Sequence, residues 1–485
     1  MKKLNLWMMT AVLVCGLLAT SCAKYDDPVT PPQEERKGDF NDFDLVPANA
    51  GDPAVVKALQ SVANITDLKP FMNVYLGQCY YFNYLQPIDH NHPELGTYKQ
   101  QVMLTYKDAE ALTVLHTQGY ALAGEHGKNH NRLDSIGFPA ICLVPNITSD
   151  VPSTNIVQVE YRYHGFSLPE GEQDKFNYLN AKQQSADLHN IVTDLKKALL
   201  KGKWVSTGVS KNGMTTYEYA YYYPGDVDAY MPYAAPLMQE LYDIRIGKYM
   251  FNESCKDYQT QIQAAFKKVL TDKTLYEGVK EEFLKYNIQK YGLADADTTQ
   301  ATLVQLMVGN LFSKESYGDI EAWSKYIPTE QSTAKDYLTF ILLDENDERV
   351  YLKRNQRRAS GKDPYVEQIE VDQGGLCYDY SVIFDCPLLQ AGVKKSLEDY
   401  MNDPKNKQPV QLSLDVIEFL KTTTCPMFFV YGENDPWSGA AIPDPTNDNV
   451  KKMVVKNGTH TDSFLRMSPE EQNKLLQWMK DQKLF

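Results

Sequence analysis

Residues 204–226, WVSTGVSKNGMTTYEYAYYYPGD, set a single serine between two kinds of periodicity. Val205, Thr207 and Val209 alternate as a short buried strand would, while the residues after Gly213 carry no turn signal until Pro224 and Gly225. Ser210 therefore falls on a strand-to-helix turn, with Gly208 just before it and Gly213 just after. Such a turn lifts a hydroxyl above the end of a sheet and aims a helix N-terminus at a reacting carbonyl, as a nucleophilic serine requires. Small residues gather at many turns, so the spacing by itself also suits an ordinary connection.

Outward from this turn the chain alternates strands and helices. QQVMLTYK, ALTVLHTQGYAL, AICLVP and IVQVEYRYHG read as strands between about residues 72 and 240. In QQSADLHNIVTDLKKALL, residues 183–200, Leu188, Ile191, Val192, Leu195 and Leu199 share one face of an amphipathic helix that leads straight into the strand before Ser210. This order predicts a parallel α/β sheet covered on both faces. Residues 240 to about 345 turn to helical periodicity, and residues 346–375 are charged and less regular. A second α/β piece follows, with PMFFVYGENDPWSGAA, MVVKNGTHTD and a last helix opened by the capping box Ser468, Pro469, Glu470, Glu471. The simplest architecture is one sheet domain over 51–238 and 401–485, split by a helical insertion over 239–400.

On such a sheet a nucleophilic serine is followed along the chain by an acid and then a histidine. His460 is the one histidine after Ser210, and it stands in KNGTHTDSF between a strand-like segment and the final helix. The acid belongs at the end of the preceding strand, where YGENDPW supplies Glu433 and Asp435. Asp435 is preferred because it lies deeper in the turn, with Pro436 restricting the backbone; Glu433 is the second candidate. His460 would take the proton of Ser210 and return it to the leaving group, and Asp435 would hold the imidazole's tautomer. Two backbone donors must meet the oxyanion: Lys211 by position, and Gly119 or Tyr120 in HTQGY, a segment that reads equally as a strand-ending turn. His116 and His164 precede the nucleophile and are read as structural hydrogen-bonding groups.

The composition limits the rest. The chain has 485 residues, 43% of them hydrophobic, enough to fill a large core, and a net charge of −14 that repels nucleic acid. MKKLNLWMMTAVLVCGLLATSC reads as a lipoprotein signal peptide over 1–21, with Cys22 as the lipid site and 22–50 as a flexible tether; its apolar run is too short to span a bilayer. Cleavage there would remove Lys2 and Lys3 and no acid, taking the charge from −14 to −16. A lipid-anchored position in the envelope of a Gram-negative bacterium is expected, with the membrane met only through that lipid. Of eight cysteines, six would remain in the mature chain, and Cys377 with Cys386 form the most plausible local pair. No spacing of cysteines and histidines suggests zinc, and the serine chemistry needs neither metal nor organic cofactor.

Taken together, QPIDHNHPELGTYKQQVMLTYKD, VEYRYHGFSLP, GVSKNGMTTYEYAYYYPGDVDAYMPYAAP, YGENDPWSGAA and NGTHTDSF resemble the secreted prolyl tri- and tetrapeptidyl aminopeptidases, distant relatives of prolyl carboxypeptidase and dipeptidyl peptidase II. The resemblance implies an α/β-hydrolase fold with a large inserted helical cap, and a triad of Ser210, Asp435 and His460. It departs at Asn212, where the family pattern has glycine. The implied activity is release of di- to tetrapeptides from the free N-termini of short peptides through an acyl-enzyme, with a preference for proline. An exopeptidase must bind the substrate's ammonium, and Asp372 and Asp379 are among the acids available. An esterase or lipase of the same fold, or a catalytically weak surface-anchored binding protein, are the alternatives.

Overall fold

The computed structural model describes residues 51–73, 77–122, 154–171, 175–291, 299–342, 364–461 and 464–484. The expected signal, Cys22, the tether, Cys142 and the strand AICLVP lie outside the described residues.

Apolar side chains alternate along the strands, so each strand feeds two opposite cores. The strands are β1 (Ile65–Asn73), β2 (Gly77–Pro87), β3 (Thr97–Thr105), β4 (Thr113–Thr117), β5 (Asn155–Val159), β6 (Trp204–Val209), β7 (Ala229–Tyr233), β8 (Tyr242–Asp243), β9 (Gly375–Leu376), β10 (Met427–Gly432) and β11 (Val450–Val455). Val102, Leu104, Leu115, Val157 and Trp204 pack on one face. Met103, Val114, Ile156, Val205 and Met231 pack on the other. Burial on both faces explains why the short strands read as nearly continuous apolar runs.

The helices are α1 (Pro53–Gln60), α2 (Ala181–Ala198), α3 (Lys211–Tyr222), α4 (Ile244–Asn252), α5 (Lys256–Val269), α6 (Lys273–Tyr291), α7 (Gln300–Tyr317), α8 (Ala334–Ile341), α9 (Ala391–Asn402), α10 (Gln411–Thr422) and α11 (Pro469–Asp481), with shorter turns between them. Asn180 caps α2 by accepting the Gln183 N–H, and Leu188, Ile191, Val192 and Leu195 bury its apolar face as the periodicity predicts. On the opposite face α11 buries Leu475, Trp478 and Met479, each contributing about 1.5–3 kcal/mol from area removed from water. The capping box at its start is formed between Ser468 and Glu471. No helix among the described residues is long and apolar enough to cross a membrane.

The large sheet has the order β1-β2-β3-β5-β4-β6-β7-β10-β11. β1, β2, β3 and β5 pair antiparallel, and every pair from β5 through β4, β6, β7 and β10 to β11 is parallel. This is the strand order and sense of an α/β hydrolase. The chain leaves β4 toward β5 on one side and returns through α2 to β6 on the other. The loops after β4 and β6 therefore meet at a topological switch, where open α/β sheets place their sites. Between β7 and β10 the chain makes its helical excursion, whose two ends are pinned where Tyr242 and Asp243 of β8 pair with Gly375 and Leu376 of β9.

Two sequence readings are corrected here. β1 and β2 were not among the strands read, β1 beginning before the region expected to hold them, and ALTVLHTQGYAL is a strand only as far as Thr117. Cys377 and Cys386 form no disulfide: they are buried free thiols, as are Cys79, Cys255 and Cys425. The tight turn Ser381–Ile383 lies between the two, and the Cys377 thiol points to Tyr378 O.

Candidate active site

The nucleophile candidate is built by crowding. Ser210 is the residue before α3 and has φ 61° and ψ −130°, a conformation that costs an L-residue roughly 1–3 kcal/mol and persists only where its surroundings enforce it. Its N–H donates to Tyr233 O on β7 at 2.9 Å, and its carbonyl accepts the Met214 N–H at 2.9 Å. A Cβ at Gly208 would stand 2.5 Å from Asn212 O, and one at Gly213 would stand 2.8 Å from Tyr233 O. The two glycines are thus required by close approach of strand, helix and neighbouring strand. Asn212 itself keeps a negative φ, as a residue inside α3 does.

Asp435 and His460 come together in the loops after β10 and β11. Asp435 caps the short helix Pro436–Ala440 with Oδ1, which accepts the Trp437 N–H at 3.1 Å. Its Oδ2 lies 2.7 Å from His460 Nδ1. Both side chains are buried, at 0% and 1% exposure, so the hydrogen bond is shielded from water. Glu433 does different work: half-buried, it accepts the Asn457 N–H at 2.9 Å and braces the loop that carries the histidine. The choice between the two acids therefore falls to Asp435. The loops also touch through glycine, since a Cβ on Gly432 would stand 2.6 Å from Gly458 O.

The cap holds the same loops from above. The His460 N–H donates to Ser316 O at the end of α7 at 2.9 Å, and the Tyr317 ring meets the imidazole edge-on at 5.3 Å. Tyr249 OH donates to Glu433 O at 3.0 Å, Ser254 Oγ to Asn434 O at 2.7 Å, and the Cys255 N–H to Asn434 Oδ1 at 3.1 Å. His460 Nε2 is buried with no hydrogen-bond partner among the described residues. No hydrogen bond joins it to Ser210. Catalytic hydrogen bonds of this kind are often long before the Michaelis complex forms and tighten within it.

The oxyanion donors need one correction. Lys211 begins α3, where a backbone N–H has no partner within the helix itself. The Gly119 N–H, by contrast, donates to Asn212 Oδ1 at 2.6 Å and is not available to an oxyanion.

Behind the turn lies a buried polar group in which Lys211 and Asp372, named from the sequence for other roles, meet Glu218, which sequence reasoning missed. Lys211 is 2% exposed, with Nζ 4.8 Å from the Tyr120 ring centroid, 4.5 Å from that of Tyr161 and 5.8 Å from that of Tyr365. Glu218 and Asp372 face this charge. Burial, and for Glu218 the nearby Asp372 charge as well, pushes both carboxyls above their usual range; Lys211 acts in the opposite sense. Gln373 Nε2 donates to Glu218 Oε1 at 2.9 Å, and Asp372 Oδ2 accepts the Ala181 N–H at 2.6 Å. The signal for Glu218 was a glutamate among aromatics in a helix with no polar face, TTYEYAYY. Asp379, the other acid suggested for an ammonium, caps the Ser381 N–H at 2.9 Å.

The two earlier histidines divide. His116 is buried, held by Gln158 at 3.4 Å and Gln118 at 3.2 Å, and burial lowers its pKa to about 4. His164 is equally buried but has no hydrogen-bond partner among the described residues, and its ring instead meets Tyr120 and Tyr161 edge-on. Burial and the Lys211 charge hold it neutral.

Comparison with known proteins agrees with the resemblance read from the motifs. Residues 56–264 match the PS-10 peptidase S37 family. The prolyl tri/tetrapeptidyl aminopeptidase of Streptomyces mobaraensis is 24% identical over 368 residues, 73% of this chain and 69% of the relative. Among solved structures, the proline iminopeptidase of Mycobacterium smegmatis is similar at a TM-score of 0.37 and 14% identity, covering 83% of this chain and 99% of that one. A peroxisomal α/β-hydrolase of Saccharomyces cerevisiae is similar at a TM-score of 0.36 and 9% identity, covering 86% and 89%. The fold assignment rests on strand order rather than on these structural scores. The chain is a serine peptidase, a hydrolase related to the prolyl tri/tetrapeptidyl aminopeptidases.

Proposed function

We propose that this relative of the S37 peptidases is an exopeptidase that releases di- to tetrapeptides from the free N-termini of short peptides, with a preference for proline near the cut. The observation that carries the proposal is the buried Asp435–His460 pair, held on loops that leave the same end of the parallel sheet as the strained Ser210. In this reading His460 Nε2 accepts the Ser210 proton as Oγ attacks the scissile carbonyl carbon, and Asp435 stabilises the imidazolium that forms. The tetrahedral oxyanion is met by the Lys211 and Tyr120 backbone N–H groups. Its collapse breaks the C–N bond, with the proton passing from His460 to the leaving amine. Water then repeats the sequence on the acyl-enzyme and frees Ser210.

The proline preference and the short product come from the named activity of the Streptomyces mobaraensis relative. The helical excursion between β7 and β10, which grips the acid and histidine loops, supports the reading as a cover that limits access to small, extended substrates. Attachment through Cys22 to the cell envelope of a Gram-negative bacterium belongs to the same proposal, as does the absence of any role for nucleic acid. Digestion of short peptides by the wild-type chain and by Ser210→Ala tests it: cleavage should be present in the first and absent in the second. Cleavage that survives in Ser210→Ala removes the nucleophile assignment.

A further inference from the structure

We infer that Glu315 and Gln259 form a neutral acid–amide pair inside the cap that positions the loops of Asp435 and His460, which makes Glu315 a positioning residue for the reaction. This rests on the roles proposed for Ser210, Asp435 and His460. Glu315 lies near the end of α7 and is fully buried, as is Ser254 between α4 and α5. Gln259 on α5 has Nε2 2.9 Å from Glu315 Oε1, 2.7 Å from Met250 O and 2.8 Å from Ser254 O. Three acceptors around one atom identify it as the amide nitrogen, because an amide oxygen has no proton to give them.

Two buried acceptors are then left over. Gln259 Oε1 and Glu315 Oε2 have no partner among the described residues, and they belong to the two side chains already joined at 2.9 Å. One proton satisfies both: Glu315 Oε2–H donates to Gln259 Oε1 while Gln259 Nε2–H donates to Glu315 Oε1. An ionised Glu315 would leave both acceptors unsatisfied and place a charge in the cap core, at the cost that buried polar and charged groups carry when unpaired. Burial holds the Glu315 carboxyl well above its usual range in the same sense. The titratable groups that bear on it are Lys314, whose ammonium donates to Phe340 O on α8, and the Cys255 thiol, which burial and Glu315 push up.

The pair acts on the catalytic loops through the turn it holds. Cys255 has φ 47° and ψ 39°, a left-handed conformation that a residue with a side chain keeps only where its surroundings enforce it. The bonds of Gln259 to Met250 O and Ser254 O brace this turn. From it, Ser254 Oγ donates to Asn434 O at 2.7 Å and the Cys255 N–H to Asn434 Oδ1 at 3.1 Å, directly before Asp435. The Asn434 N–H in turn donates to Gly458 O at 2.7 Å, in the loop that carries His460. Ser316, the next residue along α7, takes the His460 N–H on its carbonyl at 2.9 Å. Two consecutive residues of one cap helix therefore reach both loops, and a shift of α7 against α5 moves Asp435 and His460 relative to each other.

The test is the second-order rate at which a fluorophosphonate labels Ser210 in the full chain, for wild type, Glu315→Gln, Glu315→Ala and Ser254→Ala, with thermal melting of each. The probe reads the nucleophile and its base without knowledge of the peptide substrate. Glu315→Gln keeps both bonds to Gln259, as an uncharged amide–amide pair, and should keep most of the wild-type rate. Glu315→Ala removes both and should label about 10²-fold slower, the loss that follows when a change away from the chemistry displaces a catalytic group by about an ångström. Ser254→Ala cuts the link to Asn434 O with the pair intact and should label about tenfold slower, so the positioning is tested even where Glu315→Ala does not fold. A merely structural role would lower the melting temperature and leave the labelling rate of the folded protein unchanged. A glutamine variant as slow as the alanine variant would show that Glu315 works as a carboxylate and would overturn the neutral pair. Wild-type rates in folded Glu315→Ala, or in Ser254→Ala, would overturn the positioning. A wild-type chain that is not labelled at Ser210 would overturn the nucleophile reading, and the role of the pair with it.

Discussion

Single residues decide the chemistry through their neighbours. Asp435 and Glu433 are two positions apart on one turn, yet only Asp435 reaches the imidazole, while Glu433 holds a backbone amide of the histidine loop. Replacing the acid by its amide leaves the packing but presents the wrong hydrogen-bonding partner to the ring. Asp435→Asn should therefore lower kcat by about 10⁴ with little change in melting temperature. Glu433→Gln keeps an oxygen for the Asn457 N–H and should stay within about tenfold of wild type, because its side chain only supports a loop. Steady-state kinetics of the two variants checks this, and the reverse ranking would make Glu433 the acid. The preference for Asp435 was legible in YGENDPW, because depth in the turn and the following proline are local. The use of Asn212 was not, since its partner Gly119 lies 93 residues away in sequence.

At the level of elements, legibility followed periodicity. The helix over 183–200, the strand before Ser210 and the final capped helix were read within a few residues, because one-face burial and capping chemistry are written locally. β1 and β2 were missed because KPFMN and GQCYYFNYLQP mix proline, glycine and polar residues, and their strand character comes from pairing with each other and with β3. The buried ion pair of Arg162 with Asp187 at 2.8 Å likewise joins separate segments that show no local sign of each other. The cap's hold on the active-site loops belongs to this scale. Asn434 is 7% exposed and its side chain accepts the Cys255 N–H at the start of α5. Asn434→Ala would leave that buried donor unsatisfied, a loss of about 1–3 kcal/mol. Melting curves should show it as a lower transition temperature, with activity reduced because the acid loop is freed from the cap. An unchanged transition would mean that the cap does not brace the acid loop through this contact.

For the whole molecule, buried carboxyls make stability depend on pH in an unusual sense. Burial raises Glu160 to about 7 even though four donors from Leu122, Phe166 and Ser167 bond it, and raises Glu218 and Asp372 as well. In the unfolded chain these groups lose their protons near their ordinary values of about 4. Between about pH 4 and their raised folded values the native state therefore binds more protons than the unfolded one, and its stability falls as pH rises. Glu218→Gln removes one such group while its amide oxygen can still accept from Gln373. Its melting temperature should match wild type at pH 4 and exceed it at pH 8, where the buried carboxyl of the wild type must lose its proton or stay protonated at a cost. An offset that does not change with pH would show that Glu218 does not titrate with folding. The proposed function draws on the whole chain, because Ser210 follows β6, Asp435 and His460 follow the last two parallel strands, and the excursion between β7 and β10 hydrogen-bonds their loops. The most direct measurement of that assembly is a mass-spectrometric digest of a mixed peptide library with free and with acetylated N-termini, by protein lacking residues 1–22 and by its Ser210→Ala variant. The account predicts fragments of two to four residues released from free N-termini alone, and none from the variant. Cleavage of acetylated and free peptides alike, or cleavage of neither, would contradict it.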